Sequence, residues 1–279
     1  MENISLIKAL KRNKITIIGM ILAIVIVFIA IFAPFLTTFD PLKQNVKQRL
    51  KAPDEINILG TDLYGRDIFA RILYGSRNSL LIALLSVGFA MIIGVTFGLI
   101  AGYYGGKIDA VISMVINLLM SFPSIVLAIL IVAVMGTGFW KVIIAIAVTL
   151  TPRFARLSRA PVMSIREQEY ILAVKALGQF DSLIIFLHVL PNILGELIVV
   201  ATLWMSTAVL GEAGLSFLGL GITPPMPSWG SMINEGVQYI VLFPWYSIFP
   251  GIAIFLMVIA FNLLGDGLRD VIDPKLRGA

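Results

Sequence analysis

A single histidine, His188, and no cysteine among 279 residues leave little conventional catalytic chemistry available. A histidine-built metal centre, a disulfide and a thiolate nucleophile are all excluded. The phosphate-binding pattern G-x-x-x-x-G-K-[ST] is also missing, since Gly105-Gly106-Lys107-Ile108 lacks both the leading glycine and the hydroxyl. Neither G-x-S-x-G nor H-E-x-x-H occurs, so an intramembrane hydrolase has no candidate machinery. What remains is a small set of charged and polar groups beside very apolar sequence. An ionisable group inside a membrane span costs ~3 kcal/mol on insertion scales and marks a solute pathway by default. Glu212, Ser216, Trp229 and Glu235 are therefore candidates for a translocation path or its outer vestibule, whereas Glu196 can simply reach the inner headgroups. A second polar island, Arg166 to Gly178 followed by His188-Val189-Leu190-Pro191-Asn192, is wedged between membrane-length apolar runs. It must face water and carry structure of its own.

The elements that would position these residues are membrane helices. Hydrophobic residues make up 59% of the chain and charged ones only 13%, with a mean hydropathy of +0.98, far from a soluble domain. Ten-residue alternating segments, the mark of an outer-membrane barrel, are missing. Runs near the ~20 residues needed to span a bilayer fall at Ile15 to Leu36, Ser79 to Ala101, Ile108 to Met135, Phe139 to Leu157, Ile193 to Leu210 and Ile248 to Leu264. The expectation is an all-α membrane protein with six transmembrane helices. The first run exceeds the 7 to 15 residues of a signal-peptide core and lacks a small-x-small site, so it reads as a retained span.

Basic residues set the orientation. Lys8, Lys11, Arg12 and Lys14 precede span one; Arg153, Arg156, Arg159, Arg166 and Lys175 surround the central island; Arg269, Lys275 and Arg277 close the sequence. Six spans put all three groups on one side, predicting both termini and the island in the cytoplasm. The loop between spans one and two opposes this with Lys43, Lys47, Arg49, Lys51, Arg66, Arg71 and Arg77, but the first helix usually dominates. The net charge of +5 is explained by anionic lipid at the inner face, at ~1 kcal/mol per basic residue, without nucleic acid.

Within the island, Tyr170, Ala173, Val174 and Leu177 recur at helical spacing, and Gly178 can end that helix in a left-handed cap. Asp181 or Ser182 would cap a second short helix, with Pro191 closing the turn before span five. Standing alone, the island could also be an amphipathic segment on the inner leaflet. In the outer loop, Gly60, Gly65 and Gly75 permit tight turns while Asp62, Arg66 and Asp67 cap or pair. Pro224, Pro225 and Pro227 enforce an extended path, and Trp229 suits an interface. Gly88, Gly94, Gly98, Ala101 and Gly102 predict close helix packing.

Several segments carry a family resemblance. Glu169 through Asn192 resembles the cytoplasmic coupling loop, the EAA motif, of ABC importer permeases: Ala173, Gly178, Leu190 and Pro191 match, while Leu172 and Val174 depart. Leu59-Gly60-Thr61-Asp62-Leu63-Tyr64-Gly65-Arg66-Asp67 resembles the L-G-T-D-x-x-G-R-D stretch of the C-type permease of dipeptide, oligopeptide and nickel importers. Leu215 to Gly221 and Pro224 to Gly230 resemble that subunit's loop between spans five and six. The resemblance implies a type I ABC importer permease fold with coupling helices between spans 4 and 5. By the same resemblance, residues 1–74 form an N-terminal span and outer loop, 75–268 the permease domain and 269–279 a cytoplasmic tail. It implies a non-catalytic subunit that carries no cofactor, with ATP and Mg on partner ATPase subunits. The implied partners are a homologous B-type permease subunit, two cytosolic ATP-binding subunits and an extracytoplasmic solute-binding protein. Contact with the ATPase would fall on Glu169, Tyr170, Ala173, Lys175, Gly178, His188, Leu190 and Pro191. The solute would be a peptide, a nickel complex or a short oligosaccharide. An ion-coupled secondary transporter is the rival class, which would need a charge relay or paired broken helices in the spans.

Overall fold

Apolar sequence in a bilayer must satisfy its backbone internally, and among the described residues it does so with helices. A computed structural model describes residues 14–272, so Lys8, Lys11, Arg12, Lys275 and Arg277 lie outside the described residues. The helices are α1 (Lys14–Leu36), α2 (Ile68–Tyr104), α3 (Gly106–Met120), α4 (Ser124–Met135), α5 (Phe139–Ile165), α6 (Glu169–Ala176), α7 (Asp181–Ile184), α8 (Leu190–Phe217), α9 (Trp229–Val237) and α10 (Trp245–Ile272). Four stretches among the described residues are long and apolar enough to cross a membrane: Thr16–Leu36, Ile68–Tyr104, Asp181–Phe217 and Trp245–Asp270.

The expected third span differs from a straight helix. α3 and α4 meet at a 91° bend, because Pro123 drives the residue before it out of the helical region and offers no N–H to continue the ladder. The pair counts as one broken span or a re-entrant segment. Helix α5 is 27 residues long but carries Lys141, Arg153, Arg156 and Arg159, which keeps it out of the apolar set. The divisions expected after residues 74 and 268 fall inside α2 and α10 rather than at element ends.

The centre of the fold is the seam between α2 and α5, and glycines set its closeness. A methyl group at Gly94 would sit 2.5 Å from the Thr151 carbonyl, at Gly98 2.5 Å from that of Ala155, and at Gly102 2.7 Å from that of Arg159. The four-residue spacing stacks these three on one helix face, so two backbones meet where side chains would hold them apart. Gly88 has open space around it and plays no part in the seam. Phe154, fully buried on α5, stacks edge-on against Trp204 of α8 with centroids 4.4 Å apart, joining a third helix to the pair. Helix α1 lies outside this centre, packed on α10 and α2. Gly19 admits the backbone of α10 at Leu263 and Leu264, where an added Cβ would lie 2.8 Å from main-chain atoms.

Helix α8 does not begin after a turn at Pro191, as the sequence suggested. A π-helical turn, Ile185–Val189, joins α7 directly to α8, and Pro191 lies in the first turn of α8. Proline supplies no N–H for the bond to the preceding turn, and the wider π register lets the helix run through that gap.

Candidate functional site

Two polar assemblies stand at opposite ends of α2. At its C-terminal end is the island. Arg166 at the end of α5 donates from Nη1 to the Gly102 and Tyr103 carbonyls at 3.0 and 3.2 Å, satisfying acceptors that every helix end leaves open. Tyr103 in turn donates its hydroxyl to Asp181 Oδ1 at 2.8 Å, so α2 grips the island on both flanks. Asp181 therefore binds a neighbouring helix instead of capping its own; the N-cap residue is Phe180, without a side-chain cap.

Gly178, at φ +84°, ends α6 in the expected left-handed cap. Its N–H reaches the Lys175 carbonyl at 3.0 Å and that of Gln179 reaches Val174 at 3.4 Å, the paired bonds of a Schellman motif. The buried face of α6 departs from the expected stripe: Ile171 is 1% exposed and Val174 half-buried, whereas Tyr170, Ala173 and Leu177 are exposed. With only eight residues, α6 is phased by where its ends are tied, and Arg166 and Asp181 turn Ile171 inward. Glu169 and Lys175 face water, Lys175 lying 5.8 Å from the Tyr103 ring centroid. His188 and Leu190 are half-buried and Pro191 exposed. Asn192 donates to the His188 carbonyl at 2.5 Å and lies 3.4 Å from the Tyr170 hydroxyl. Leu177 at 87% and Phe180 at 76% exposure, with Phe186 and Leu187, make an apolar surface on this polar segment.

At the other end of α2 the loop between α1 and α2 closes on itself. Asp62 Oδ1 accepts the N–H groups of Tyr64 and Arg66 at 2.8 and 2.9 Å, and its Oδ2 meets Arg66 Nε at 2.5 Å and Arg71 Nε at 3.5 Å. Asp62, Arg66 and Arg71 are all buried, a placement that charges adopt only when paired. Asp67 is the N-cap of α2, accepting from Ala70 N at 2.7 Å, and its other oxygen takes the Asn57 amide at 2.8 Å. Gly65, at φ +72°, lies where a Cβ would strike the Asn45 carbonyl at 1.8 Å; Gly60 holds φ +79°. Gly75 serves no turn. It lies inside α2 and admits the Trp229 indole, whose Nε1 donates to the Ile72 carbonyl at 3.0 Å. Trp229 is thus buried in protein.

The four path candidates divide. Arg66 Nη2 donates to Glu235 Oε2 at 3.1 Å, and the Tyr246 hydroxyl donates to the same oxygen, so Glu235 completes the loop's charge cluster. Glu212 lies within α8, not beyond it, and is fully buried. Its carboxyl group accepts from Ser216 and Ser228 at 2.7 Å each and from Ser79 at 3.1 Å. Ser216 is therefore a partner of Glu212, and neither borders open space in this conformation. Ser79 and Ser228, missed in the sequence, carry no local signal because their partner is distant in the chain.

Three arginines of α5 form a further row. Arg159 pairs with Asp109 of α3 through Nε–Oδ1 and Nη2–Oδ2 contacts of 2.5 Å, while Arg156 donates to Asn117 Oδ1 and Arg153 to Ser124 Oγ, each at 2.8 Å. In the sequence these residues register only as an orientation signal; their spacing of three, at one end of an apolar helix, is the trace of the row.

Comparison with known proteins adds identity to this geometry. Residues 94–278 match the family described as binding-protein-dependent transport system inner membrane component, and residues 5–53 match the N-terminal TM domain of oligopeptide transport permease C. A dipeptide transport system permease protein of Alkalihalophilus pseudofirmus is 49% identical over 270 residues, covering 97% of this chain and 89% of the relative. An oligopeptide transport system permease protein of Bacillus subtilis is 38% identical, with 96% and 88% covered. A glutathione transport system permease protein of Pectobacterium atrosepticum is 42% identical, with 95% and 89% covered. Among solved structures, the inward-facing MetNI methionine ABC transporter contains a chain similar in fold, with TM-score 0.59 and 22% identity over 74% of this chain and 98% of that one. An amino acid ABC transporter solved with histidines gives TM-score 0.54 at 16% identity, over 71% and 92%.

Proposed function

Since the chain belongs to the family of inner membrane components of binding-protein-dependent transport systems, we propose that it is the C-type permease subunit of an ATP-driven importer of dipeptides or oligopeptides. The observation carrying the substrate class is near-complete alignment, at 49% identity, with a relative named as a dipeptide permease. The subunit is non-catalytic; ATP and Mg act on partner subunits. It pairs with a homologous B-type permease chain, two cytosolic ATPases and an extracytoplasmic binding protein. In the bilayer, α1, α2, the bent α3–α4 pair, α5, the 181–217 helix and α10 make six spans in a type I importer fold, with both termini and α6 in the cytoplasm. Residues 75–268 form the permease core.

Coupling is mechanical in this reading. An exposed apolar surface on a water-facing segment marks a protein contact, and Leu177 and Phe180 present one beside Glu169, Tyr170, Ala173 and Lys175. The ATPase would grip this surface, and the continuous helix through His188, Leu190 and Pro191 would carry the displacement into the membrane. Nucleotide can shift the inward- and outward-facing populations only through its differential affinity for the two states. Gly178→Val places a β-branched side chain at a left-handed φ, breaking the cap. ATP-dependent peptide uptake in proteoliposomes of the reconstituted complex should be lost while membrane insertion is unchanged. Unimpaired uptake by this variant would sink the coupling assignment, and uptake driven by an ion gradient without ATPase would sink the importer reading.

A further inference from the structure

Arg153 and Arg156 carry charge that the fold does not neutralise. At 100° per residue, Phe154, Ala155, Ser158 and Val162 form the face of α5 buried on α2, and Arg153 and Arg156 project from the opposite side. Three guanidiniums share this flank, yet the only acid among the described residues that closes one of them is Asp109, which is taken by Arg159. Arg156 and Arg153 hold only neutral acceptors, Asn117 Oδ1 and Ser124 Oγ. A guanidinium has five N–H donors, so most of each remains uncommitted.

Their depth restricts what can use those donors. Arg153 and Arg156 fall in the last turn of the span read at Phe139 to Leu157, one helical turn apart on α5. An arginine inside a span faces protein or a water-filled cavity rather than acyl chains. The contacts to Asn117 and Ser124 hold each side chain at the α3–α4 bend, so little ordering is left for ligand binding. Two adjacent forks of this kind match a carboxylate, which accepts paired N–H bonds in one plane.

We infer that Arg153 and Arg156 form a subsite for the carboxylate of the transported solute, on the inner half of the path. The assignment rests on the proposed peptide importer, because a peptide brings a terminal carboxylate to such a site. It separates passage from the buried outer cluster: Glu212 and Glu235 hold the scaffold, and the arginines meet the cargo. Arg159, closed by Asp109, is a positioning residue that fixes α3 against α5.

The test uses the whole reconstituted complex, with binding protein saturated by one short peptide in either its free-acid or its C-terminally amidated form. In the Arg153→Gln/Arg156→Gln variant, uptake of the free acid should fall about tenfold, the worth of one charge-assisted hydrogen bond, while uptake of the amide is unchanged. Lysine at both positions keeps the charge but not the planar fork and should restore only part of the difference. An equal fall for both forms, or no fall for either, overturns the subsite and leaves the importer reading standing. A fall that follows the phosphatidylglycerol content of the vesicles instead of the peptide terminus assigns the arginines to lipid headgroups and also overturns it. No ATP-dependent uptake of either form by the unmodified complex overturns the peptide reading, and the subsite with it.

Discussion

Adding a single methyl group at Gly98 probes the α2–α5 seam directly. The new Cβ would lie 2.0 Å from Ser158 Oγ, 2.5 Å from the Ala155 carbonyl oxygen and 3.1 Å from Arg159 N. Ser158 cannot swing away freely, since it is fully buried and donates to the Phe154 carbonyl at 2.8 Å. The Ala155 oxygen belongs to a helix backbone. Ordinary contact begins near 3.4 Å, so that oxygen, at 2.5 Å, must retreat by about 0.9 Å, which means parting two long helices. Overpacking of this kind costs ~1–3 kcal/mol, with the upper end expected where backbone must move. Replacing glycine by alanine in a helix also gains ~1 kcal/mol in propensity, which would mask part of the cost. Gly88→Ala supplies the correction, because Gly88 lies on the same helix with nothing within 4 Å. The difference between the two variants isolates packing at ~1–3 kcal/mol. Thermal unfolding of the purified protein in detergent, followed by tryptophan fluorescence, reads it out, with Trp204 beside the seam as reporter. Equal midpoints for Gly98→Ala and Gly88→Ala would refute the seam as the determinant of helix spacing.

The Glu212 cluster and the loop between α1 and α2 make separate predictions. Glu212→Ala strips three hydroxyl donors of their acceptor and should destabilise the protein by ~1–3 kcal/mol for each donor left unpaired, while Glu212→Gln loses less because its amide oxygen still accepts; matching melting temperatures would contradict the clasp. Glu235→Gln removes the charge opposite Arg66 and should make the 40–66 loop more sensitive to limited proteolysis, with no change in how much protein inserts. The Lys51 ammonium beside Asp54, reinforced by the Asn57 and Ile56 N–H groups, holds the Asp54 carboxyl below the usual aspartate range. A depressed pKa stabilises the loop above the pH where a free aspartate ionises, about 4, and that contribution is lost as pH falls through the lower folded value. Protection of the Ile56 and Asn57 amides, taken relative to free-peptide exchange at each pH, should therefore be lost only as pH falls below the ordinary aspartate range, about 4, and in Asp54→Asn it should be low at every pH.

Much of this architecture was legible from spacing alone, and the failures have physical causes. Gly94, Gly98 and Gly102 announced a close seam because a four-residue repeat of small residues survives on one face of any helix; Gly88, six residues before Gly94, stands outside that repeat and has open space around it. The run from Ile108 to Met135 looked continuous because hydropathy averages over Pro123, although the proline was the available signal for the bend. The same rule misled at Pro191, where a π turn absorbs the missing N–H. On α6, Tyr170, Ala173 and Leu177 stay exposed while Ile171 turns inward, because the helix is short and held from outside by Arg166 and Tyr103. Asp62, Arg66 and Asp67 could be read as pairing residues from proximity. That Glu235, Ser79 and Ser228 complete the clusters depends on tertiary contacts spanning 16 to 169 residues.

The N-terminal third of α2 has a further consequence for how the protein is made. Asn78 binds the Pro227 carbonyl 149 residues later, Ile72 receives Trp229 across 157, and Arg66 meets Glu235 across 169. A chain emerging from the ribosome inserts α2 long before any of these partners exists. Through most of synthesis, its N-terminal end must keep Asn78 and the Glu212-binding face of Ser79 hydrated or shielded by other factors, while Arg66 has only Asp62. Glu212 arrives with α8 and the stretch from Pro227 to Glu235 closes the rest, so a ribosome stalled before Pro227 would expose an open form, and the final stretch of translation becomes the assembly checkpoint for this end of α2.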